Sequence, residues 1–255
     1  MTTNRKNGSL YTHINNKIAT IEFGHPASNS FPSELLERLR KELILVGQNN
    51  EVAIIILKSE GEKAFCAGAS FDELVAISNL EEGKEFFSGF ANVINAMRTC
   101  GKLIIGRIQG KTVGGGVGLA SACDYVLATE NAAIKLSEFT IGIGPFVIEP
   151  AVTRKIGVSG TAELTLDATN WKNAYWAKEK GLYAKVFETI KELDKEVEIL
   201  SEKLASYNHT ALAEMKKALW KGTQNWNNLL TERAAVSGEL VLSDFTKKAL
   251  EKFKK

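Results

Sequence analysis

Along this chain the spacing of apolar positions changes from two to nearly four and back, and the changes mark the elements. Residues 9 to 23 (SLYTHINNKIATIEF) alternate on either side of Asn15-Asn16, the pattern of a hairpin. The segment from Gly24 to Ser30 reads as loop. Pro32 and Ser33 then open an amphipathic helix with Leu35, Leu36, Leu39, Leu43 and Val46 on one side. A continuous apolar run from Val52 to Leu57 predicts a buried strand. After a polar turn (Ser59, Glu60, Gly61) comes the small-residue stretch Lys63 to Phe71, KAFCAGASF, and a helix with Asp72 and Glu73 in its first turn. A charged segment around Glu81 and Glu82 precedes a helix from about Lys84 to Arg98.

The same strand-then-helix order returns in KLIIGRIQGKTVGGGVGLASACD, Lys102 to Asp124. An apolar strand over 103–109 meets Gly110, and Gly114, Gly115 and Gly116 then open an apolar helix through Ala122. Backbone amides without neighbouring Cβ atoms, at the positive end of a helix, form an anion trap. The same three glycines also serve simple close packing of the helix. If this loop meets the KAFCAGASF loop, one amide from each can hold a developing oxyanion. Tyr125 to Ala128 and Ile134 to Leu136 read as further short strands, so the fold class is α/β. After Pro150 the apolar residues fall on helical periods and the tail is expected to be nearly all helix. A weak boundary near Thr189 to Lys191 divides a core of residues 1–188 from a helical region of 189–255.

Composition narrows the classes. The 255 residues, 44% hydrophobic and 24% charged with a net charge of +2, suit an ordinary globular chain with a full core. No run of like charge demands nucleic acid or an acidic membrane, and the lysines of the last nine residues read as a solvated helix end. No apolar run approaches the roughly 20 residues of a spanning helix, and MTTNRKNGS has no apolar core, so the expected location is the cytoplasm. Cys66, Cys100 and Cys123 lack metal-ligand spacing and read as buried hydrophobes; no metal is expected. His13, His25 and His209 are scattered. Gly106 to Thr112 is one residue short of a phosphate-loop motif and lies inside a strand, and Gly116 to Ser121 lacks the third glycine of a dinucleotide fingerprint.

FCAGAS, VGGGVGLASACDYVLAT and KLSEFTIGIGP, in that order, resemble the crotonase (enoyl-CoA hydratase/isomerase) superfamily. The resemblance is close over the first two thirds of the chain and looser in the tail. It implies a crotonase-like ββα spiral core, a C-terminal region used for assembly into trimers or hexamers, and an acyl-CoA substrate with no separate cofactor. It places the thioester carbonyl between the amides of Ala69 and Gly115, and makes Glu138 the acid/base. The second glutamate of the family's hydratases falls on Gly118, which cannot titrate. A lone carboxylate suits proton transfer between C2 and C4, whereas hydration would need a second acid, for which Glu149 is the candidate.

The remaining assignments follow from the same resemblance. Backbone at Ala27 and Ser28, and from Ala64 through Phe65 to Ala67, lines the path of CoA, with Gly68 and Gly114 beside the oxyanion site. Asp72 stands where relatives carry a lysine near CoA. Leu250 and Lys252 roughly match an aromatic and a lysine that reach a neighbouring subunit's ligand. Around Pro145 and Phe146 the chain is bulkier than the family's glycine-rich turn, which favours a short or branched acyl group of the methylglutaconyl-CoA kind. Alternatives are decarboxylation of a carboxylated acyl-CoA, a non-catalytic CoA-binding scaffold suggested by Gly118, and RNA binding on the lysine-rich helix Ala213 to Lys221.

Overall fold

The computed structural model describes residues 7–252; the first six residues and the last three, including Lys254 and Lys255, lie outside the described residues. Strands β1 (Ser9–Asn15) and β2 (Ile18–Gly24) form the expected hairpin, turning through Asn16 and Lys17, both at positive φ. Helix α1 (Ser33–Gln48) buries Leu35, Leu36, Leu39, Leu43 and Val46, the stripe that the spacing predicts. Strand β3 (Ile54–Ser59) starts two residues later than the apolar run, because the Ala53 N–H is taken by the Lys17 carbonyl at the turn, 2.7 Å away.

From β3 onward the chain spirals between two sheets. It leaves β3 for β4 (Ala64–Cys66), returns through α2 (Phe71–Ala76) and α3 (Leu80–Thr99) to β5 (Leu103–Ile108), and leaves again for β6 (Lys111–Val113). Helix α4 (Gly115–Ala122) leads to β7 (Tyr125–Thr129) and β8 (Ile134–Lys135). Each pass therefore adds one strand to a six-stranded sheet, ordered β1-β2-β3-β5-β7-β9, and one to a three-stranded sheet, β4-β6-β8. All pairings between these strands after the hairpin are parallel, and an isolated antiparallel bridge joins Ile134 to Lys172. This repeated strand-strand-helix unit is the ββα spiral, with the main core between the large sheet and helices α1, α3, α4 and α5 (Glu149–Leu166).

The structure refines three expectations. Helix α3 begins at Leu80 rather than Lys84, because Asn79 accepts a hydrogen bond from the Glu82 N–H and caps it; the charged residues are its first turn. The tail is nearly all helix, as its periods predict, with one short strand added. After α6 (Ala174–Glu179), Lys185–Phe187 forms β9 at the edge of the large sheet, a run too short to show a period. Third, α7 (Ile190–Ala205) places Leu193, Val197 and Ala205 against Ile54, Ile56, Ile105 and Leu127, so the chain after Thr189 also covers one face of the sheet.

Helices α8 (His209–Leu219), α9 (Trp226–Leu240) and α10 (Asp244–Glu251) complete the tail. Lys216 of α8 is buried and pairs with Asp124 at 2.8 Å, which removes it from any basic surface such as an RNA-binding helix would need. Among the described residues no helix is long and apolar enough to cross a membrane. Helix α9 packs closely on α3 where glycines meet: a Cβ on Gly83 would lie 2.8 Å from the Gly238 carbonyl oxygen.

Candidate active site

Two strand ends and one short turn converge on a cavity of about 390 Å³. The first loop follows β4. Gly68 takes φ +90, a conformation that suits glycine, and its carbonyl accepts from the Phe31 N–H at 2.8 Å. The Ser70 N–H returns a bond to the Phe31 carbonyl at 2.9 Å, and the Ser70 side chain caps α2. Ala69 is thereby held between two pinned neighbours while its own N–H has no acceptor among the described residues.

The second loop follows β6. Gly114, at φ +53, donates to the Lys135 carbonyl of β8 at 3.0 Å, and α4 begins on the next residue. The Gly115 N–H is thus one of the unpaired donors of a helix start, at the positive end of the dipole. The loops touch: a Cβ on Gly68 would lie 3.6 Å from the Gly115 nitrogen. Ala69 and Gly115 line the same cavity.

Glu138 opens a 3₁₀ turn, Glu138–Ile141, that Gly142 closes in the left-handed conformation. Its Oε1 faces the second loop, 3.0 Å from where a Cβ on Gly114 would be. Its Oε2 is buried without a hydrogen-bond partner. Burial pushes the carboxyl up to about 7, only partly opposed by backbone hydrogen bonds, so near neutral pH it can both take and return a proton. It is the one titratable side chain among the described residues lining the cavity. Cys66 is close below the loops, but burial raises its thiol to about 12, so it offers no thiolate near neutral pH. Among the described residues no three His, Cys, Asp or Glu side chains gather as metal ligands.

Of the residues singled out in the sequence, Ala67, Gly68, Ala69, Gly114, Gly115, Glu138 and Pro145 line the cavity. Ala27 and Ser28 are exposed on a loop tied to the first one, the Ala67 N–H donating to the Ser28 carbonyl at 3.1 Å. The Ala64 carbonyl is occupied by Asn29 and Gln109, and Phe65 is core, edge-on to Phe23. Asp72 is exposed, and Phe146 packs on Gly144 outside the lining. Leu250 is buried with Leu74 and Phe86.

Glu149 and Gly118 are not brought into the cavity lining. Glu149 starts α5 and accepts from the Thr153 hydroxyl at 2.6 Å, one turn along the same helix. At Gly118 a Cβ would sit 2.4 Å from Cγ2 of Ile148, so the isoleucine fills the space that a side chain at 118 would need. Gly118→Glu alone is therefore expected to cost about 1–3 kcal/mol through overpacking. Gly118→Glu combined with Ile148→Ala should regain most of that loss in urea unfolding; a single variant as stable as the parent would refute the packing argument.

Most of the apolar wall was not singled out from the sequence: Phe71, Leu74, Phe86, Phe87, Phe90, Ile141, Ile143 and Val147, with Ser237 from α9. The phenylalanines of α3 stand at helical spacing, a signal that marks a buried face without saying whether it faces core or cavity.

Comparison with known proteins finds similar shapes and similar sequences. The structure is similar to that of an enoyl-CoA hydratase from Bacillus halodurans, with a TM-score of 0.87 at 23% identity over 95% of this chain and 99% of that one. In sequence the chain is 28% identical over 240 residues to a short-chain-enoyl-CoA hydratase of Clostridium acetobutylicum, covering 93% of this chain and 91% of the relative. It is also 28% identical over 211 residues to a peroxisomal Delta(3,5)-Delta(2,4)-dienoyl-CoA isomerase of Arabidopsis thaliana, covering 77% and 74%. The family model described as enoyl-CoA hydratase/isomerase matches residues 13–254, so the chain belongs to the enoyl-CoA hydratase/isomerase family, the crotonase superfamily.

Proposed function

We propose that this member acts on a short or branched enoyl-CoA, such as a methylglutaconyl-CoA-like ester, and moves a proton between C2 and C4. The thioester oxygen lies between the Ala69 and Gly115 amides, where the enolate charge develops. Glu138 takes a proton from one carbon as carboxylate and, as carboxylic acid, returns it to the other, so the double bond shifts and no water is consumed. The isolation of Glu138 in the cavity carries this reading. Hydration needs a second group to orient and divide the protons of a water. Ile148 occupies the place over Gly118, and Glu149 is bonded within α5. The apolar wall favours an acyl chain over a polar reactant and excludes bulk water. CoA itself is substrate, and no separate cofactor is invoked.

The test is turnover of 3-enoyl and 2-enoyl esters in deuterated water with product masses. Isomerisation gives products at the mass of the substrate plus exchanged deuterium. A product heavier by one water identifies a hydratase and overturns the proton-shuttle reading. Loss of carbon dioxide from a carboxylated ester would identify a decarboxylase, and no turnover of any ester would leave a CoA-binding scaffold.

A further inference from the structure

Asn29 lies outside the cavity lining, 8% exposed, in the loop between β2 and α1. Its side chain is bonded on every side: Nδ2 donates to the Glu60 carbonyl at 2.8 Å and to the Ala64 carbonyl at 2.9 Å, and Oδ1 accepts from the His25 N–H at 3.0 Å. Two acceptors and one donor around a short planar group are met by a carboxamide and not by a carboxylate or a hydroxyl. The backbone of Asn29 is also committed. Its N–H donates to the His25 carbonyl at 3.0 Å, and its φ is +57, a region in which asparagine is found far more often than most residues with a Cβ.

The neighbours of Asn29 are the residues that hold Ala69. The Ser28 carbonyl accepts from the Ala67 N–H at 3.1 Å, and Phe31 bonds to Gly68 and to Ser70 on either side of Ala69, at 2.8 and 2.9 Å. Residues 28–31 thus form a template laid alongside 67–70. Glu60 and Ala64, which Asn29 bridges, bound the turn that leads into β4 and the first loop. The template is therefore pinned to the chain it shapes. The Ala64 carbonyl also accepts from Nε2 of Gln109 at 3.0 Å, and Gln109 stands at the end of β5, from which the chain runs through β6 to Gly115. One carbonyl joins the supports of both amides.

We propose that Asn29 is a positioning residue for the reaction: by bridging the Glu60 and Ala64 carbonyls it sets the Ala69 N–H relative to the Gly115 N–H, without touching substrate. This rests on the reading of those two amides as the site of the thioester oxygen. Placement decides what such a site is worth, since a misplacement of about 1 Å can cost 10²-fold in rate. The test uses the full chain with hexanoyl-CoA carrying ¹³C at the thioester carbon, and reads the carbonyl stretch of the bound ester by infrared difference spectroscopy. Two hydrogen bonds to the oxygen should move the band of the parent complex below its frequency in water. Asn29→Gly keeps the positive φ without strain and removes only the side chain, whereas Asn29→Asp keeps the shape and sets a carboxylate against two carbonyl oxygens. Both variants are expected to lose much of the band shift. With 3-hexenoyl-CoA both should lose kcat about ten- to a hundredfold, with KM changed less than about threefold. A merely structural asparagine would lower the Tm and leave the band where the parent has it, and that result overturns the assignment. Failure of both variants to fold also overturns it, because the amide would then serve the fold as a whole. A parent that does not bind the ester, or leaves its carbonyl band unshifted, overturns the oxyanion reading itself.

Discussion

Glu138→Gln is expected to lower kcat/KM by about 10² to 10⁴, the usual contribution of a positioned acid/base, while the fold persists. For the parent enzyme, kcat/KM on a substrate that must first lose a proton should rise with pH around a midpoint near 7, where the buried carboxyl becomes a base. Stability should move the other way. Below the ordinary carboxyl range the group is protonated in both folded and unfolded chains, and its burial carries no charge penalty. As pH rises from 4.5 towards about 7, the unfolded chain releases the proton while the folded chain keeps it, so the folded state loses up to about 3 kcal/mol. Glutamine has no such dependence. The Tm of Glu138→Gln relative to the parent should therefore increase between pH 5 and pH 8. A flat difference across that range, or a variant with a tenth of parental activity, would remove Glu138 from the chemistry.

Asp124→Ala should cost about 3–5 kcal/mol, with a Tm lower by about 10 °C or more in differential scanning calorimetry. The carboxylate is buried and triply bonded: Oδ2 accepts from the Ile104 N–H at 2.7 Å and from Lys216 Nζ at 2.8 Å, and Oδ1 accepts from Trp220 Nε1 at 2.7 Å. It clamps α8 and the turn after it to the start of β5. Removing it leaves an ammonium that is 3% exposed with no counter-charge. Lys216→Met should cost less, because Asp124 keeps the Ile104 and Trp220 donors and the methionine fills the lysine's volume. An Asp124→Ala protein within 1 kcal/mol of the parent would show the pair to be energetically idle.

This pair also marks where sequence reasoning ends. Lys216 stands among Lys217 and Lys221 in a stretch that reads as a basic helical surface. Burial reverses its meaning, and that burial depends on a residue 92 positions earlier. Glu149 is a similar case. At a helix start after a bulky loop it is an equally good candidate for a second acid or a dipole partner, and the direction of α5 decides by turning it to Thr153. Gly118 is legible as the loss of a titratable group; that Ile148 fills the place is not, since the two are 30 residues apart and Ile148 by itself is an ordinary apolar residue in the turn before α5.

The chain's own pattern determined the local elements: period-two segments around Asn15, helical stripes in α1 and α3, buried strand runs, and two small-residue loops each placed between a strand and a helix. Those are properties of neighbouring residues, fixed by side-chain direction and by what glycine permits. The tertiary structure alone decided that Ala69, Gly115 and Glu138 line one cavity with no second carboxylate among the described residues lining it, that Lys185–Phe187 joins the edge of the sheet, and that the Ser237 hydroxyl is buried there unpaired. Desolvation and hydrogen-bond supply at a site come from whichever distant segments pack there, and no local period encodes them.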